Sequence, residues 1–131
     1  MQTYETTNLF VQRTTKGKLP SLPFVRIKEK VLGKQYQLSI AFVRKETIEK
    51  MSEKYKGDKS HKNILSFPLD KNSGEIILNL ETIRTEAKNF DKKYLEYLGF
   101  LVIHGMLHLK GYAHGSKMET MEKKFVKIFN L

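Results

Sequence analysis

Between Leu98 and Leu109 every residue is apolar or glycine except two, and both exceptions are histidines, His104 and His108. A helix that is apolar nearly all round has no face to turn toward water, so it must be largely buried within its domain. Leu95, Leu98, Leu101 and Val102 supply an apolar stripe along it. Asp91 is a good N-cap residue, and Phe90 stands where it can staple onto Leu95. Gly111 ends the run, because glycine accepts the left-handed conformation that closes helices. The expected helix runs from about Lys92 to Lys110, long enough to cross the domain.

Three of the chain's four histidines lie in the window His104–His114. His104 and His108 are spaced i, i+4 and leave the same side of a helix. A turn at Gly111 can bring His114 toward the same point. Three neutral imidazoles fill three positions of a tetrahedral zinc site and leave the fourth for water, which is the layout of a catalytic site. The competing reading is three core histidines, each needing its own hydrogen-bond partner in apolar surroundings, whereas one metal satisfies all three. His61 lies in a polar loop and reads as a surface residue or a phosphate contact. The spacing His-x3-His-x2-Gly-x2-His resembles the zinc helix of metzincin proteases. Their general base is the Glu that follows the first histidine, and here that position is Gly105. Peptide hydrolysis through that group is unavailable.

The chain has 131 residues, read as one domain over 1–131, and no cysteine, which excludes a disulfide framework and a cysteine-type zinc finger. The N-terminus shows no secretory pattern, and no apolar stretch is long enough to span a bilayer. A cytoplasmic location without membrane association is expected. The formal charge is +10, and residues 13–62 hold 14 Lys/Arg against 5 Asp/Glu. Such a basic half favours a polyanion, most simply nucleic acid, although a generically basic soluble protein would share it.

The order of elements points to an α+β fold, a small mixed sheet flanked by helices around the long buried helix. Leu9–Gln12 is a weakly marked first strand. Phe24, Ile27 and Val31 recur at helical spacing after Ser21, a candidate N-cap, and Gly33 ends that helix. Gln37–Val43 alternates, with Leu38, Ile40 and Phe42 on its buried face. Lys45–Tyr55 is helical, with Ile48, Met51 and Tyr55 on one face and Gly57 as its stop. Ile64–Pro68 and Glu75–Leu80 form a hairpin around the turn at Asp70–Gly74, with Pro68 at an edge or a strand end. A short helix follows over Glu81–Asn89. The last helix begins at Ser116, where Ser116-Lys-Met-Glu119 matches a capping box, and buries Met118, Met121, Phe125, Ile128 and Phe129.

The block His104-Gly-Met-Leu-His108-Leu-Lys-Gly111-Tyr-Ala-His114, with Asn63-Ile-Leu-Ser66-Phe67-Pro68 and Gly74-Glu75-Ile76, resembles the YbeY family of bacterial endoribonucleases. The resemblance runs in order over most of the chain. It implies zinc held by His104, His108 and His114 at a cleft, and activity on ribosomal RNA of the small subunit, with ribosome-assembly components as partners. Lys56 stands where the family has an arginine that contacts phosphate, and keeps the charge without the bidentate fork. Ala113 replaces an Asp, Glu75 replaces an Asp and Lys62 replaces a Thr of the family pattern. Ser66 and Phe67 are expected to line the cleft, with Phe67 equally suited to the core. Tyr112 either orients substrate or packs beside Gly111. Cobalt or nickel suits three imidazoles nearly as well as zinc. Two other readings stand beside the ribonuclease: an assembly factor with a structural metal, and a metal-dependent hydrolase of another substrate such as a peptide.

Overall fold

Alternation in the sequence sets the sheet, and the apolar helix then has a surface to cover. The computed structural model describes residues 2–131. Its strands are β1 (Gln2–Thr6), β2 (Leu9–Arg13), β3 (Gln37–Phe42), β4 (Ile64–Asp70) and β5 (Ser73–Leu78). They form one sheet of order β1-β2-β3-β5-β4. The three central strands β2, β3 and β5 run parallel, and each outer strand is antiparallel to its neighbour. β4 is an edge strand, so the missing N–H of Pro68 is tolerated there.

The helices are α1 (Phe24–Val31), α2 (Lys45–Lys56), α3 (Leu80–Asn89), α4 (Tyr94–Lys110) and α5 (Ser116–Phe129). Leu38, Ile40 and Phe42 of β3 join Ile76 and Leu78 of β5 in a core closed by α1, α3, α4 and α5. α4 lies at its centre, with Leu98, Val102, Ile103, Met106 and Leu107 fully buried. The expected buried face of β3 is there, but the opposite face is covered as well. Ala41, Val43, Leu65 and Ile77 pack on Ile48 of α2 in a smaller second core. Among the described residues no helix is long and apolar enough to cross a membrane. The apolar length of α4 is buried inside the protein.

Several chain ends differ from expectation. β1 was not marked by the sequence because all five of its residues are exposed and carry no apolar alternation. Asp91 does not cap α4. It adopts a left-handed φ of 54° directly after α3, and Lys93 takes the cap position without a side-chain bond. Phe90 packs edge-on against Tyr97 at 6.0 Å. Ser21 and Ser116 do not cap either: Pro23 and Gly115 occupy those positions, and Ser116 is already helical. The effective cap is Asn79, buried at the end of β5. Its Oδ1 accepts from Thr82 N–H at 2.8 Å while its Nδ2 donates to Val43 O at 2.9 Å, tying the start of α3 to the residue that follows β3. The hairpin closes more tightly than expected, with Asp70 paired to Ser73 around Lys71-Asn72. On α5, Met118 and Phe125 are buried, whereas Ile128 is exposed.

Gly105 lets α4 approach the sheet. A Cβ there would lie 2.9 Å from Ile64 Cδ1 and 3.0 Å from Ser66 Oγ. Gly105→Val should therefore destabilise the fold by about 1–3 kcal/mol through overpacking. Denaturant unfolding measures this, and an unchanged midpoint would contradict so close a contact.

Candidate metal centre

The histidines meet because α4 ends where the sequence places its glycine. Gly111 is left-handed at φ 109°, and the chain turns back over the last turn of the helix. His104 and His108 project from one side of α4, and His114 returns from the following turn. Ring centroids lie 4.6 Å apart for His104–His108 and His108–His114, and 5.2 Å apart for His104–His114. One ring nitrogen from each lies within 4.8 Å of the others.

Hydrogen bonds decide which nitrogens are free. Glu122 of α5 is buried, and its Oε2 accepts from His104 Nδ1–H at 2.6 Å. The backbone carbonyl of Tyr112 accepts from His108 Nδ1–H at 3.1 Å. A carbonyl oxygen cannot donate, so His108 donates from Nδ1, and in the neutral ring, which its lowered pKa favours, Nε2 carries the lone pair; the Glu122 carboxylate likewise draws a His104 proton to Nδ1. These two Nε2 atoms then face each other at 3.1 Å. Two ring nitrogens come this close only with a proton or a metal ion between them, and a metal ion would replace that proton. The donor set, its tautomers and its outer partners therefore fit a divalent metal such as zinc. Burial, followed by the neighbouring His104 ring, pushes the His108 pKa below the ordinary histidine range.

The histidines form the floor of a cleft of about 460 Å³, also lined by Lys56, His61, Asn63, Ser66 and Leu101. Ser66 donates to Gly105 O at 3.3 Å, which fixes β4 beside α4. Phe67 is not at the cleft. Side chains alternate along β4, so Phe67 joins Leu65 on the α2 side and meets Tyr55 edge-on at 5.1 Å. The aromatic ring of Tyr112 packs on the main core, and its contribution at the histidines is its carbonyl oxygen. Of the 14 basic residues between 13 and 62, only Lys56 lines the cleft. Arg13, Lys16, Arg44 and Lys45 gather instead around a separate cavity with Arg84.

Glu122 escaped the sequence reading. Its signal was a carboxylate in register with Met118 and Phe125 on the buried side of α5, where an acidic residue needs a partner.

Comparison with known proteins comes to the same region. Residues 8–130 match the family model described as Endoribonuclease YbeY. The chain is 33% identical over 102 residues to the Endoribonuclease YbeY of Thermodesulfovibrio yellowstonii, a match covering 68% of this chain and 64% of that protein. It is 30% identical over 99 residues to the Endoribonuclease YbeY of Alkaliphilus oremlandii, covering 68% and 66% respectively. The matched stretch thus spans just under two thirds of these relatives' length. A Thermotoga maritima protein solved in solution shares the fold at TM-score 0.60 and 27% identity, covering 79% of this chain and 74% of that one.

Two outcomes follow from this geometry. Glu122→Gln should weaken metal binding by about 10–100-fold, read by competition with a chelator, because the amide orients and polarises His104 less well. Affinity equal to wild type would remove Glu122 from the site. The metal-free protein should lose stability as acidity rises. The unfolded chain protonates His108 near pH 6.5 while the folded protein resists, so below about pH 6.5 the unfolded state binds more protons. The melting temperature should fall between about pH 7 and pH 5.5, and less steeply in His108→Gln. An equally steep fall in that variant would contradict the assignment.

Proposed function

The chain belongs to the YbeY family, and we propose that it is a zinc-dependent endoribonuclease acting on single-stranded ribosomal RNA during small-subunit maturation and ribosome quality control. The observation that carries this reading is the convergence of one ring nitrogen from each of His104, His108 and His114, within 4.8 Å of one another, on the floor of an open cleft. A purely structural metal would be closed by a fourth protein ligand, whereas the donors that converge here, among the described residues, are the three imidazoles of His104, His108 and His114.

A zinc ion bound there supplies Lewis acidity toward a phosphodiester oxygen and lowers the pKa of bound water toward ~7. The protein supplies the rest. Three neutral imidazoles leave the charge of a divalent ion undiminished at the cleft floor, and the nearby Glu122 carboxylate offsets only part of it. The resulting positive site suits an anionic phosphate better than a neutral peptide, which favours RNA over the peptidase reading. Lys56 sits on the cleft wall where an ammonium can hold a phosphate as a point charge. Ser66 offers a hydroxyl within the same cleft. Tyr112 and Glu122 hold His108 and His104 in the metal-binding tautomer. Ribosomal RNA as substrate, assembly components as partners and a cytoplasmic setting rest on family membership.

The test combines elemental analysis with cleavage of single-stranded RNA by wild type and His108→Ala. Wild type should carry about one zinc per chain and cut RNA, and the folded variant should lose both. RNA cleavage undiminished in His108→Ala, or a wild type unable to bind zinc, would overturn the proposal.

A further inference from the structure

The loop after α2 forms part of the cleft wall, and its hydrogen bonds fix the state of a fourth histidine. Ser52 is fully buried on α2. Its hydroxyl donates to Asp58 O at 2.7 Å and accepts from His61 N–H at 3.2 Å, so both ends of the loop are tied to the helix. Within the loop, Asp58 Oδ1 accepts from Ser60 N–H at 2.9 Å and from the Ser60 hydroxyl. These bonds, the side-chain one first, hold the Asp58 carboxyl below its ordinary range, so it is ionised and can only accept. The single hydroxyl proton of Ser60 is therefore committed to Asp58.

Ser60 Oγ also lies 3.1 Å from His61 Nδ1. With its own proton engaged, Oγ can only accept there, so the ring donates from Nδ1. In the neutral ring His61 Nε2 is then left with a lone pair, and His61 lines the same cleft as the three converging histidines. This is the opposite of the tautomer that free histidine favours, and it leaves a proton acceptor beside the place where a phosphodiester would lie.

We propose that His61 is the general base of RNA cleavage, with Ser60 and Asp58 as positioning residues that fix its tautomer. The proposal rests on the ribonuclease reading above. In the step, the attacking hydroxyl, of water or of a ribose, gives its proton to His61 Nε2 as its oxygen bonds to phosphorus. The phosphorus–oxygen bond to the departing nucleotide breaks, and the departing oxygen takes a proton from solvent. The imidazolium then returns its proton to solvent, so the charge and atoms balance. Lys56, His104, His108 and His114 line the same cleft as His61, and Asp58 lies within its loop. None of these is a free base in the metal-bound protein: Lys56 is cationic, Asp58 is engaged by Ser60, and the three imidazoles are committed to the ion.

Two measurements test the proposal. In zinc-loaded protein, His61→Gln should keep its metal and its RNA affinity while kcat falls by about 10²–10⁴-fold, the usual reach of a general base. In metal-free wild type, long-range proton–nitrogen NMR should show the His61 ring protonated at Nδ1 and bare at Nε2, with Ser60→Ala shifting it toward the other tautomer. A His61→Gln variant that cuts RNA at the wild-type kcat overturns the proposal and leaves the ribonuclease reading standing. So does a wild-type ring that carries its proton on Nε2. A zinc-loaded wild type that cuts no RNA overturns the ribonuclease reading itself, and the general base falls with it.

Discussion

The bond between Glu122 and His104 Nδ1, at 2.6 Å, links the helix that carries the histidines to the helix that closes the core. α4 is too apolar to lie anywhere but the centre, yet it must carry two imidazoles at its last turns. An imidazole left unpaired in such surroundings costs free energy, as does a buried carboxylate. Each group here satisfies the other. The same bond also dictates which nitrogen of His104 faces the cleft. Tyr112 does the equivalent service for His108 with a backbone carbonyl that is in place only because Gly111 reverses the chain. Helix termination, core closure and metal-site chemistry are thus one arrangement.

Much of this was legible in the sequence for physical reasons. The apolar run around His104 and His108 admits only a buried helix, and the i, i+4 spacing with Gly111 and His114 places three rings together. The alternation of Gln37–Phe42 identified the central strand, and the family resemblance is matched over residues 8–130. What stayed hidden depended on partners distant in sequence. Glu122 looks like one more acidic residue on a charged helix until α5 is laid against α4. Phe67 could be assigned to either side of β4 until α2 was known to cover one of them. Local capping rules also failed at Asp91, Ser21 and Ser116, where Lys93, Pro23 and Gly115 hold the cap positions without a side-chain bond. β1 gave no pattern because an exposed edge hairpin needs none.

Charge follows a related lesson. The basic excess of residues 13–62 is spread over several surfaces in the fold, and one lysine of that half reaches the cleft. Long-range attraction of a polyanion requires only net charge, whereas holding a phosphate at the reacting position requires a particular side chain. Under the proposed reading Lys56 is placed for the second purpose, and the remaining basic residues for the first. The polar loop at Asp58–His61, ordinary as sequence, gains its meaning from the buried hydroxyl of Ser52 that pins it to the cleft wall.

His104, His108 and His114 are proposed to hold one metal ion together, with the rings of His104 and His108 oriented in advance by Glu122 and the Tyr112 carbonyl. Crystals of zinc-loaded protein measured at the zinc absorption edge test it directly. A single anomalous peak is expected about 2.0–2.1 Å from Nε2 of His104, from Nε2 of His108 and from a ring nitrogen of His114, with the fourth position open to the cleft. A peak bonded to Glu122, or one that leaves out any of the three histidines, would contradict it.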